Sequence, residues 1–194
     1  WFWIWREQPL RESLSLLYRE LADYCEAKYS LLTQHTDPEK ALPPLLVRQQ
    51  KAVDLITQCY QQMHMLSAQN NTDYKRMLRI FQEALDLQEH ISVSLHQPEE
   101  VQKLVERSHA EEVIRWNAQT VAARLRVLAD DILYHRLPTR FTMEKQIGAL
   151  EKIARQHPDN PVGQFCYWHF SRIARVLRTQ KPLYARDLLA DKQR

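Results

Sequence analysis

Apolar residues recur along this chain at steps of three and four, the spacing of a single helix face, and prolines and asparagines punctuate the runs. The first stripe, Leu10, Leu14, Leu17, Leu21, Tyr24, Lys28 and Leu31, alternates those steps and is broken only by Lys28. It predicts a heptad-like helix from Pro9 to about Gln34. Asp37-Pro38 and Pro43-Pro44 end it, because proline has no backbone donor and disfavours helix just before itself. A second helix is expected from about Pro44 to Ser67, with Leu46, Val53, Ile56, Tyr60, Met63 and Leu66 mostly on one side. Asn70-Asn71-Thr72 offers a turn and a cap, and a third helix follows from Asp73 to about Leu95 through Met77, Ile80, Phe81, Leu85, Leu87 and Ile91.

Pro98 suits the first position of a long fourth helix reaching roughly His135. Its second half carries a clean stripe of Ile114, Ala118, Val121, Leu125, Leu128 and Ile132, while its more polar front half predicts two different packing partners. A shorter helix is expected from about Thr142 to Gln156. Asn160 then caps, and Pro161 opens, a last helix through Phe165, Trp168, Ile173, Val176 and Leu177. The pattern predicts an all-α, antiparallel bundle of about six helices with one long central helix. A single body over 6–194 and a division into 6–97 and 98–194 both fit it. No repeat at solenoid periods interrupts the pattern.

Composition narrows the classes further. Two glycines in 194 residues leave little material for doubly wound or barrel folds, which need glycine at tight turns. Cys25, Cys59 and Cys166 are odd in number and form no CxxC pair, which argues against a disulfide framework or structural zinc and suits a reducing compartment. No phosphate loop, nucleophile elbow or HExxH motif occurs, and nothing points to a cofactor. A carboxylate-bridged di-iron bundle needs two Glu-x-x-His motifs. This chain has one, Glu106 to His109, with Glu112 a turn further on. Cys166 and His169 stand three residues apart within Phe165–Phe170, a spacing that fits an imidazole-activated thiolate or a packed aromatic cluster. The expectation is a protein without catalytic or metal-binding residues.

Both ends carry a different signal. Trp1, Phe2, Trp3, Ile4 and Trp5 precede Arg6, like the aromatic belt where a transmembrane helix leaves the bilayer; a hydrophobic arm folded onto the domain is the alternative. The expectation is that residues 1–5 end a membrane span, although no run of ~20 apolar residues lies within the chain. Residues 171–194 hold seven bases against Asp187 and Asp191, whereas the rest is nearly balanced and the net charge is +3. That tail fits either an anionic membrane surface or a solvated helix face. Arg172, Arg175 and Arg178 recur every three residues beside aromatics, so they are candidates for contact with a small organic anion or the membrane surface. The low overall charge disfavours nucleic acid.

The segment Trp5-Arg6-Glu7-Gln8-Pro9-Leu10-Arg11-Glu12-Ser13-Leu14, continuing through Tyr18-Arg19-Glu20-Leu21-Ala22-Asp23-Tyr24-Cys25-Glu26-Ala27-Lys28, resembles the YccS/YhfK family of proteobacterial inner-membrane proteins. The resemblance extends over the whole chain and rests on extended sequence rather than a catalytic signature. It implies a kinship with fusaric-acid-resistance and aromatic-acid-efflux proteins: a multi-pass inner-membrane protein whose helical domain lies on the cytoplasmic side. The domain is expected to assemble, brace or regulate the membrane part as a homo-oligomer, a remaining exposed apolar stripe meeting a partner copy or the protein's other soluble region, and a small organic acid is the other expected partner. It supplies no binding residues to carry over.

Overall fold

The computed structural model describes residues 4–33, 38–67, 72–93 and 98–191, with side chains described for most positions between Glu7 and Arg178. The chain order is α1 (Ile4–Thr33), α2 (Pro38–Leu66), α3 (Thr72–Ser92), α4 (Pro98–Arg107), α5 (Ala110–Leu133), α6 (Glu144–Gln156) and α7 (Pro161–Asp191). The described residues contain seven helices and no strand, so the fold is an all-α bundle. Trp1, Phe2 and Trp3 of the expected aromatic anchor lie outside the described residues, and of Trp5 only the backbone is described. No helix among the described residues is long and apolar enough to cross a membrane.

The heptad-like helix is the organising element. α1 buries Leu10, Leu14, Leu17, Tyr18, Leu21, Tyr24 and Cys25, and packs against α5, α2 and α3. Side-chain bonds across the pairs fix the directions. Gln58 donates to Ser13 while Arg48 reaches Glu20, so α2 runs antiparallel to α1. Arg19 meets Asp130 and Arg126 meets Asp23 and Glu26, so α5 is also antiparallel. Tyr18 donates to the Ile80 carbonyl and Lys28 to those of Ile91 and Val93, so α3 runs parallel to α1. Asp23 accepts charge from both flanking helices, from Arg126 at 2.7 Å and Arg48 at 3.6 Å, and thereby straps α2 and α5 across the outer face of α1.

Two expectations about the elements are revised. The long fourth helix is broken at Ser108-His109, where the Ser108 hydroxyl donates to the Leu104 carbonyl and accepts the Ala110 amide. Such local bonds compete with the helical ladder. The break lets the polar front half, now α4, turn towards α7 while α5 lies along α1. Both halves reach α1 and α7, α5 chiefly along α1, so the expected division between two different partners is incomplete, and the central helix is α1 rather than one long fourth helix. Prolines stop less than expected: α1 passes through Pro9, and α2 begins at Pro38 with Pro43 and Pro44 inside it. Each lies within about the first two turns, where few intrahelical donors are lost.

The second half of the bundle is pinned by buried polar groups. Asn117 of α5 donates to its own-helix carbonyl of Val113 at 2.9 Å and to the Gln146 carbonyl of α6 at 3.0 Å. Arg124 donates to the Thr139 carbonyl at 2.9 Å and lies 5.1 Å above the Phe141 ring, fastening the α5–α6 connection. At the start of α7, Asn160 accepts the amides of Val162 and Gly163, as its position before Pro161 implies, and donates to the Glu100 carbonyl of α4.

Candidate functional site

The aromatic and basic stretch of α7 is divided by the helix geometry. Successive residues turn by about 100°, so Cys166, His169, Phe170, Ile173 and Leu177 face inward while Trp168, Arg172, Arg175 and Arg178 face outward. Inside, Tyr29 of α1 packs on Phe170 at 4.6 Å between ring centroids, and His169 stacks on Phe165 at 5.0 Å. Lys28 enters the same region, its ammonium 5.6 Å from the Tyr29 ring centre and bonded to the carbonyls of Ile91, in the last turn of α3, and Val93 just beyond it.

That surrounding decides the cysteine–histidine pair. Burial pushes the Cys166 thiol up to about 12, with only a small opposing pull from Lys28. Burial, helped by Lys28 and His90, lowers His169 to about 3. An imidazole held neutral beside a thiol held protonated is a core pair, and an activated thiolate needs the reverse environment. Cys25 and Cys59 are buried with thiols likewise raised to about 12 by desolvation. The Glu106–His109 spacing does not lie on one helix, because the break at Ser108-His109 separates its two members; both are exposed, and Glu106 accepts from Gln102. No group of three or more metal-ligating side chains occurs among the described residues.

Outside, the three arginines part company. Arg172 lays its guanidinium over the Trp168 ring, 4.1 Å from the centroid, as an exposed i, i+4 pair. Arg175 and Arg178 lie further around the helix and line a cleft of about 220 Å³ between α7 and the start of α6, together with Ser171 and Ala174 from α7 and Thr142, Met143, Glu144 and Ile147 from the α6 side. Arg124 and the α6–α7 hairpin hold these walls in place, the latter through Gln164 donating to the Ala154 carbonyl at 2.9 Å.

A second feature was not foreseen as a site. On α2 the expected single stripe splits: Met63 and Leu66 are buried, but Leu46, Val53 and Tyr60 are 53%, 40% and 62% exposed. These three stand seven residues apart and so share one helix face. Their neighbours on that face are Leu42, Gln49, Gln50, Thr57, Gln61 and His64, none of them a permanently charged side chain.

Residues 1–188 match the family model described as FUSC-like inner membrane protein yccS. The chain belongs to this FUSC-like inner-membrane family. The match spans nearly its whole length, α1 through most of α7, and agrees with the resemblance carried by residues 5–28. No solved structure matches the chain.

Proposed function

We propose that this chain is the cytoplasmic helical domain of a multi-pass transport protein of the inner membrane, and that it acts by holding two copies together through α2. It has a mechanical role in this reading and carries out no catalysis. The exposed Leu46, Val53 and Tyr60 stripe carries the proposal: apolar residues at heptad spacing, flanked by polar side chains without permanent charge, are the surface one helix offers another. A two-fold antiparallel pair centred on Val53 sets Leu46 against Tyr60 of the second copy and Val53 against its own equivalent. The family supports the membrane setting, and the aromatic residues Trp1, Phe2, Trp3 and Trp5 fit the end of a preceding span.

Size sets the strength of such a pair. From Leu42 to His64 the stripe runs roughly 33 Å at 1.5 Å per residue, and a helix contact is about 10 Å wide. The projected strip, on the order of 330 Å², falls short of the roughly 800 Å² per partner typical of a stable complex. The isolated chain therefore dimerises weakly. Anchoring in one membrane raises the effective concentration of each copy and makes the contact count.

Sedimentation equilibrium of the chain tests this. Mass is expected to rise towards that of a dimer with concentration, and Val53→Lys to abolish the rise without changing the helical content. Concentration-dependent dimerisation that Val53→Lys leaves intact would place the contact elsewhere, and a strict monomer at millimolar concentration would count against α2 pairing.

A further inference from the structure

Arg175 and Arg178 stand one helical turn apart on the same side of α7, exposed, and with no carboxylate paired to either among the described residues. Several other arginines are paired with carboxylates, among them Arg126 with Asp23 and Glu26, Arg48 with Glu20 and Asp23, and Arg19 with Asp130. The floor beneath the two unpaired guanidiniums is apolar, made of buried Met143 with half-buried Ile147 and Ala174. We infer that the α6–α7 cleft is a binding site for a small organic carboxylate, whose acid group sits between Arg175 and Arg178 and whose apolar body lies on Met143, Ile147 and Ala174. This goes beyond the assembly role and does not depend on α2.

Each wall group limits the ligand. Two guanidiniums offer forked donors matched to a carboxylate. The Ser171 hydroxyl proton is committed to the Tyr167 carbonyl at 2.6 Å, so Ser171 gives an anion no donor. The Thr142 hydroxyl accepts the Glu144 amide at 3.4 Å and keeps its own proton to donate. Met143 and Glu144 bring the N-terminus of α6, the positive end of its dipole, to one wall of the cleft. The Glu144 carboxylate opposes the two guanidiniums, leaving a net charge of +1 from the charged side chains. That balance suits a monoanion better than a dianion. At about 220 Å³ the space is below the usual 300–1,000 Å³ of drug-sized sites, so the ligand is small. Arg172 is excluded from the site by its engagement with Trp168.

The test is an amide-resolved NMR titration of the 194-residue chain, at low salt, with hexanoate, neutral hexanamide and inorganic phosphate. Saturable hexanoate shifts confined to residues 142–147 and 171–178 are expected, with hexanamide at least about tenfold weaker. The double variant Arg175→Gln/Arg178→Gln should lose about tenfold or more in hexanoate affinity at an unchanged thermal midpoint, while Arg172→Gln should retain it. No localised shifts with hexanoate would overturn the site. Equal binding of hexanamide would overturn the role of the arginines, and binding of phosphate but not hexanoate would overturn the organic class in favour of a bare oxyanion or headgroup phosphate. A dimer lost in Val53→Lys with hexanoate shifts retained would separate this site from the assembly surface.

Discussion

Lys28 interrupts an otherwise apolar stripe and is 5% exposed, its ammonium bonded to the Ile91 and Val93 carbonyls at the end of α3. Desolvation lowers it from its ordinary value of 10.5 to about 8. A base with a depressed folded value leaves the unfolded chain holding more protons between about pH 8 and 10.4, so its contribution to stability rises with pH across that window. Below pH 8 both states are charged and the burial penalty is fully present. Between pH 7 and 9.5 the relief amounts to about 2 kcal/mol, from 1.36 kcal/mol per unit of differential titration. Raw stability will not display it, because Cys25, Cys59 and Cys166, raised to about 12, act in the opposite sense above their unfolded values. The assay is therefore a difference: urea unfolding of the parent and of Lys28→Met at several pH values, with the three thiols common to both. The parent should gain about 2 kcal/mol on the variant from pH 7 to 9.5. A difference that stays flat, or shrinks, refutes the burial of a titrating ammonium at this position.

Other residues give separate expectations. His169, lowered to about 3, stays neutral in the fold while the unfolded imidazole protonates, so it destabilises as pH falls below about 6.5. His169→Phe should remove about 2 kcal/mol of the loss seen between pH 6.5 and 4.5, read by urea midpoints. Leu125, fully buried on the face of α5, should cost about 2–5 kcal/mol when changed to Ala; an unaltered thermal midpoint would remove it from the core. His135 follows the C-cap of α5 at φ 55°, with the Arg136 amide closing back on the Asp131 carbonyl. This left-handed position favours glycine, so His135→Gly should stabilise by about 1 kcal/mol in denaturant titrations, and a loss would show that the imidazole supports the fold through its contacts.

The bundle was legible because stripe and punctuation agree: Leu10 to Leu21, the Ile114 to Ile132 series and Asn160 before Pro161 all act as their spacing implies. The break inside 98–135 was not. It depends on one hydroxyl, that of Ser108, substituting for ladder bonds, and on α4 finding a partner in α7 that is distant in sequence. Nor does periodicity reveal which apolar face is covered. Val53 and Met63 read alike in sequence, yet only Met63 is buried. The same limit applied to the arginines. A three-residue recurrence joins Arg172, Arg175 and Arg178, but each step rotates by about 300°, so over two steps the row drifts away from one target. Arg172 finds Trp168, and the cleft formed with α6 becomes visible only when that hairpin closes. Lys28 looked like a flaw in a stripe; the end of α3 and the residue after it, more than sixty residues on, supply the carbonyls that accept it.

The pairing of two copies through α2 is tested most directly by thiol cross-linking of the full-length protein in inner membranes. The native cysteines of this chain are buried, so Val53→Cys places a reactive thiol on the proposed two-fold axis. A short bifunctional maleimide should yield a covalent dimer from Val53→Cys and from the Leu46→Cys/Tyr60→Cys pair, but not from Gln119→Cys on the exposed side of α5. Dimer from Gln119→Cys and none from Val53→Cys would contradict the account.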